Sequence, residues 1–124
     1  GLRQVVEAQG IDYALQDIAT DDVDAYYNGY CNRALWPLLH YRIDLMRFGE
    51  DQLEAYLRVN GQFADSLAAL VRPDDLIWVH DYHLMPLGSR LRERGFTNRI
   101  GFFLHIPWPP PSLLMSLPGH RDLA

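Results

Sequence analysis

Two short apolar runs, Leu76-Ile77-Trp78-Val79 and Ile100-Gly101-Phe102-Phe103-Leu104, restrict the fold more than anything else in this chain. Neither alternates with polar residues and each is short, so each reads as a strand buried on both faces, the pattern of parallel sheets. Between them, "LMPLGSRLRERG" has helical spacing and closes at Gly95, the usual place for a glycine after a helix. Strand, helix and strand within about 30 residues make a βαβ unit, whose crossover is right-handed. The chain is therefore expected to be α/β.

The remaining segments fit around that unit. "GIDYALQDIATDD" reads as a short extended stretch and then a helix start, with Thr20 as cap and Asp21, Asp22 and Asp24 at the positive end of the helix dipole. This helix carries "VDAYYNGYCNRAL" and is expected to stop near Trp36-Pro37, because a residue before proline is pushed out of the helical region. "DQLEAYLRVNGQFADSLAALV" places Leu53, Leu57, Phe63, Ala64, Leu67, Leu70 and Val71 near helical spacing and predicts a long amphipathic helix, broken at Arg72-Pro73-Asp74-Asp75. After the prolines at 107 and 109–111, Ser112 is expected to cap a last short helix, "LLMSLP". There is no internal repeat or flexible linker. The 124 residues, 48% of them hydrophobic, suit one globular unit with a core. A first residue that is not Met and a tail "HRDLA" without a closing element lead us to expect a piece of a longer protein.

Both strand runs end in titratable residues: His80-Asp81-Tyr82-His83 after the first, His105 after the second. In open α/β sheets ligands bind beyond the carboxyl ends of the strands, so these residues should line a crevice. An ionised Asp81 can accept hydrogen bonds from sugar hydroxyls, and it serves equally well as a helix N-cap. His105 can donate to a substrate oxygen or move a proton; a strand-end histidine bonded to a backbone carbonyl is the plainer alternative. His80 alternates away from Asp81 and is read as structural. His80, His83 and His105 together invite a metal-dependent hydrolase reading, but no spacing such as HExxH supports it, and no metal ligand is assigned. Tyr26, Tyr27, Asn28, Tyr30 and Trp36 can stack on sugar faces or simply pack a helix. Arg90, Arg92 and Arg94 read as a solvated helix end. A formal charge of −5 argues against a nucleic-acid partner, and no stretch approaches the roughly 20 apolar residues of a membrane span. The single cysteine, Cys31, permits no internal disulfide and fits a reducing, cytoplasmic setting.

The blocks "YYNGYCNRALWPLLHYR", "YLRVNGQFADSL", "DDLIWVHDYHLMPLGSRLRERG" and "NRIGFFLHIPWPPPSLLMSLP" closely resemble the trehalose-6-phosphate synthases, from about Tyr26 to the end and more weakly from Ile11. The resemblance implies a retaining glycosyltransferase that joins glucose from UDP-glucose, a co-substrate rather than a cofactor, to glucose 6-phosphate. It implies a GT-B protein of two Rossmann-like domains, in which residues 1–124 are part of the N-terminal, acceptor-side domain. Tyr27 and Asp81 would then contact glucose 6-phosphate. Trp36 and Ile106 would shape the pocket and its anomer preference, and His105 would bond the donor glucose. "IPWPPP" stands where many members have "IPFP", a conservative change. A phosphate-contacting loop and the donor-binding C-terminal domain would lie outside these residues, so the chain alone is expected to be inert, and a homo-oligomer is one open form of the whole protein. A non-catalytic sugar-phosphate-binding module is the alternative.

Overall fold

The computed structural model describes residues 2–123. It begins with a hairpin, β1 (Leu2–Ala8) against β2 (Ile11–Gln16), antiparallel, with Ala8 paired to Ile11. Gln9 and Gly10 both have positive φ, 56° and 76°. That two-residue turn matches the twist of the strands it joins. The second strand is the short extended stretch expected from the sequence; the first is an addition. The Ser66 hydroxyl, bonded to Gln16 Oε1, ties the hairpin to the long helix.

A continuous helix follows in three parts: α1 (Thr20–Val23), a π-helical stretch (Asp24–Leu35) and α2 (Trp36–Leu39). Backbone angles at the junctions Val23, Leu35 and Trp36 stay right-handed helical. Two expectations are corrected here. Thr20 does not cap; the first turn closes with the Val23 N–H on the Ala19 carbonyl, so Thr20 already lies inside the helix. Nor does the helix stop at Trp36-Pro37. Proline cannot donate to the carbonyl four residues back, and the Arg47 N–H takes that Arg33 carbonyl instead, at 2.6 Å. With its orphan acceptor satisfied, the helix continues through the proline.

Next comes α3 (Glu50–Ala68), the amphipathic helix expected. Its first half packs Ala55, Tyr56 and Val59 against Tyr30, Cys31, Leu35 and Leu38 of the first helix in the larger core, which Leu117 and Leu123 close from the chain's end. Each fully buried leucine contributes roughly 2 kcal/mol. Gly29 allows this approach, since a Cβ there would lie 2.9 Å from the Gln52 side chain. Farther along α3, Ala64 joins Ile77, Val79, Leu87 and Leu91 in a second core. Asp22–Arg58 (2.5 Å) and Asp65–Arg94 (2.7 Å) fasten α3 to its neighbours on the surface.

The βαβ unit is present. β3 (Ile77–His80) and β4 (Ile100–Phe103) are parallel, with Ile77 opposite Ile100 and His80 opposite Phe103, and α4 (Leu87–Glu93) lies between them in sequence. A one-turn 3-10 helix (Tyr82–Leu84) precedes α4, and Gly95 follows it at φ 83°. Burial differs from expectation: β3 alternates buried and exposed, with Trp78 62% exposed. Helices α3 and α4 pack the Ile77/Val79 face, and nothing described covers the Trp78/His80 face. The chain ends with α5 (Pro111–Leu114) and a 3-10 turn (His120–Asp122). Ser112 lies inside α5, behind Pro110, and does not cap it. Among the described residues no helix is long and apolar enough to cross a membrane.

The uncovered sheet generates a prediction. Trp78, Phe102 and Phe103 are exposed on a two-stranded sheet with open edges, with Leu76 exposed just before β3, the arrangement that drives edge pairing and association. The 124-residue chain by itself should self-associate at micromolar concentration in sedimentation velocity, and Trp78→Lys with Phe102→Lys should raise its monomer fraction. A wild-type chain that sediments as a monomer and melts cooperatively would contradict this.

Candidate functional site

The β3-to-α4 junction is held by bonds onto its own backbone. The Tyr26 hydroxyl and the Asn60 side-chain amide both donate to the His83 carbonyl, each at 3.1 Å, and the Tyr56 hydroxyl donates to the Tyr82 carbonyl at 2.6 Å. Asn60 also donates to the Tyr56 carbonyl (2.9 Å). Burial drives the Tyr56 phenol well above its ordinary pKa, so it keeps the proton it donates. On the sheet side the Asp81 N–H donates to the Phe103 carbonyl at 2.8 Å, joining the end of β3 to β4.

Between these anchors Asp81 takes φ 70°, ψ 168°, a region that is essentially glycine-only and costs about 1 to 3 kcal/mol for other residues. Its Oδ1 accepts the Tyr82 N–H at 3.0 Å. The capping reading of Asp81 is thus met, at the start of the 3-10 turn. Capping alone does not require this backbone, and strained residues held by their surroundings cluster at functional sites.

Aromatic rings form a row beside Asp81. Tyr27 stacks on His83 (centroids 5.5 Å apart, planes 14°), His83 on Tyr82 (4.1 Å), and Tyr82 faces Trp36 (5.8 Å), which lies on His40 (3.9 Å). Tyr27 and Trp36 remain 48% and 45% exposed, so their faces are open to a ligand. Asn32, Trp36 and Tyr82 line a hollow of about 360 Å³. The π-helix explains how the row forms. Trp36 is nine positions after Tyr27, about two and a half turns of α-helix, which would put them on opposite faces. Wider i→i+5 turns bring them close to register at roughly two turns.

His105 belongs to a second group. Its Nε2 lies 3.1 Å from His80 Nδ1, and Phe103 meets it edge-on at 4.8 Å. Ile106, next to it, is half-buried against the larger core. The structure therefore gathers Tyr27, Trp36 and Asp81 around Tyr82 and His83, with His105 and Ile106 across the Asp81–Phe103 link. His80 is exposed and its Nδ1 is paired with His105 Nε2. His80, His83 and His105 do not converge; among the described residues no three His, Cys, Asp or Glu side chains come together in metal-binding array. A further hollow, of about 540 Å³, runs along the apolar flank of β3 between Phe63, Leu67 and Trp78. It is an uncovered sheet flank and does not include Asp81.

Tyr26, Tyr82 and His83 stand among the residues the sequence points to, but Tyr56 and Asn60, which hold the junction, do not. One signal was available: Tyr56, Asn60 and Ala64 are four apart on α3, so Asn60 sits on the buried stripe, and a fully buried amide calls for partners.

The chain matches the family model described as Glycosyltransferase family 20 over residues 7–123. It is 55% identical to the trehalose-6-phosphate synthase of Sinorhizobium fredii over 91% of its own length and 24% of the relative's. Among solved structures, the alpha,alpha-trehalose-phosphate synthase (UDP-forming) of Burkholderia vietnamiensis superposes with a TM-score of 0.93 at 52% identity, over 97% of this chain and 26% of that one. The Burkholderia xenovorans enzyme in complex with glucose-6-phosphate gives 0.92 at 47% identity, again over 97% and 26%. The chain spans about a quarter of the length of these relatives.

Two predictions come from this geometry. Asp81→Gly and Asp81→Ala both remove the carboxylate, but only glycine relieves the backbone; Asp81→Gly should be the more stable by about 1 to 2 kcal/mol in denaturant unfolding. Equal stabilities would show that Asp81 is not strained. His83 is held below the ordinary imidazole value of 6.5 by burial, partly countered by Asp81, and its buried Nε2 has no partner among the described residues. The unfolded chain then binds more protons than the folded one. The stability that His83 contributes is complete above about 6.5 and is lost as pH falls through its lower folded value. His83→Gln should flatten that part of the stability–pH curve; an unchanged slope would refute the assignment.

Proposed function

The chain belongs to glycosyltransferase family 20, and from that membership we propose that it forms the acceptor-side part of the N-terminal Rossmann-like domain of a GT-B trehalose-6-phosphate synthase. The whole protein transfers glucose from UDP-glucose to glucose 6-phosphate with retention, in the cytoplasm, and the donor-binding domain lies outside these residues. The observation that carries this reading is the likeness to an enzyme solved with glucose-6-phosphate, together with a strained carboxylate beside open ring faces at the strand ends.

The residue chemistry supports particular roles. Asp81, fixed by the three donors behind its loop, accepts hydrogen bonds from acceptor hydroxyls without rearranging. Tyr27 offers a phenol at the open end of the ring row, and Trp36 an apolar wall where the acceptor ring lies. His105 presents an imidazole edge to the donor sugar, and Ile106 limits the space beside it. In front-face transfer the acceptor hydroxyl aligns with the donor phosphate, and no protein carboxylate becomes a nucleophile. The protein's contribution is positioning and electrostatics.

In the full-length reading frame that carries this segment, Asp81→Ala should raise the KM for glucose 6-phosphate about tenfold or more with a smaller change in kcat, as expected for lost acceptor binding. His105→Ala should lower kcat by about 10²-fold at saturating acceptor. UDP release measured against both substrates checks this, with the 124-residue chain alone as the inactive control. Wild-type-like constants in both variants would overturn the assignment.

A further inference from the structure

His80 has no part in the roles above, yet it makes the closest polar contact to His105. Its Nδ1 lies 3.1 Å from His105 Nε2, with the rings 5.4 Å apart and 29° from parallel. The parallel register brings this about: His80 is opposite Phe103, and His105 follows Phe103 by two residues. Trp78 backs His80 at 5.5 Å with planes only 20° apart, and Phe103 stands edge-on to His105. Both imidazoles are thus confined by rings as well as by each other.

A hydrogen bond between two imidazoles needs a proton on one nitrogen and a lone pair on the other, so each ring sets the tautomer of its partner. With Nε2 of His105 engaged, Nδ1 is the nitrogen left to meet a ligand. We propose that His80 is a positioning residue for His105: through its Nδ1 it fixes the orientation of His105 and couples the tautomers of the two rings, so that His105 offers Nδ1 to the donor sugar. This rests on the role of His105 proposed above.

The test uses the full-length enzyme. His80→Phe keeps a ring against Trp78 but removes the nitrogen; kcat should fall about tenfold, in line with a misoriented catalytic group, while the KM for glucose 6-phosphate changes less than about twofold. His80→Asn places an amide near the position of Nδ1 and should recover most of the loss, whereas the longer side chain of His80→Gln should not. Because His80 acts through His105, the double variant His80→Phe/His105→Ala should be no slower than His105→Ala alone. A wild-type kcat in His80→Phe beside an impaired His105→Ala overturns this inference and leaves the parent reading intact. Multiplicative losses in the double variant overturn it as well, because His80 would then act independently. A wild-type kcat in His105→Ala removes the parent reading, and this one with it.

Discussion

Three hydrogen bonds onto two carbonyls, one buried and two partly buried, govern the rest of the site. Tyr26 from the first helix, and Tyr56 and Asn60 from α3, hold the carbonyls of Tyr82 and His83. Unsatisfied buried acceptors cost about 1 to 3 kcal/mol each, so the junction after β3 has one place to sit, and two helices must pack correctly before it can. The same packing makes the larger core, in which Tyr30, Tyr56, Leu35 and Val59 are fully buried. Core formation and site formation are therefore one event. The backbone of Asp81 is the consequence: it is anchored by Phe103 on one side and by the Tyr82 and His83 carbonyls on the other, and it absorbs the mismatch at φ 70°.

The second organising feature is the winding of the first helix. Wide turns over Asp24–Leu35 bury Tyr26, Tyr30, Cys31 and Leu35 at spacings of four and five, and leave Tyr27 and Trp36 toward the open side. Helical stretches of this kind recur at functional sites, and the reason is visible in this chain. A regular α-helix would satisfy either the core face or the ring row, but not both. Pro37 adds to the effect by removing a donor, and Arg47 makes the continuation possible by taking the freed carbonyl.

Much of the fold was legible because it rests on local chemistry. The apolar runs at Ile77–Val79 and Ile100–Phe103, the helix between them and the amphipathic spacing of α3 all signal their own conformations. Boundaries failed where satisfaction came from far away in sequence: Trp36-Pro37 reads as a stop until Arg47 is seen on the Arg33 carbonyl. Burial of β3 failed for another reason. A continuous apolar run says that both faces want cover, yet among the described residues only the Ile77/Val79 face receives it.

For the site, the sequence by itself determined which residue types stand at the strand ends, since Asp81 and His105 follow directly where the apolar runs stop. It also carried the family likeness, because ordered blocks of residues survive in one dimension. The tertiary structure decided the geometry: the strain at Asp81, the ring row from Tyr27 to Trp36, and the pairing of His80 with His105. Each of these depends on partners 20 or more residues apart or on non-standard helical winding. A strand period of two or a helix period of 3.6 carries no information about either.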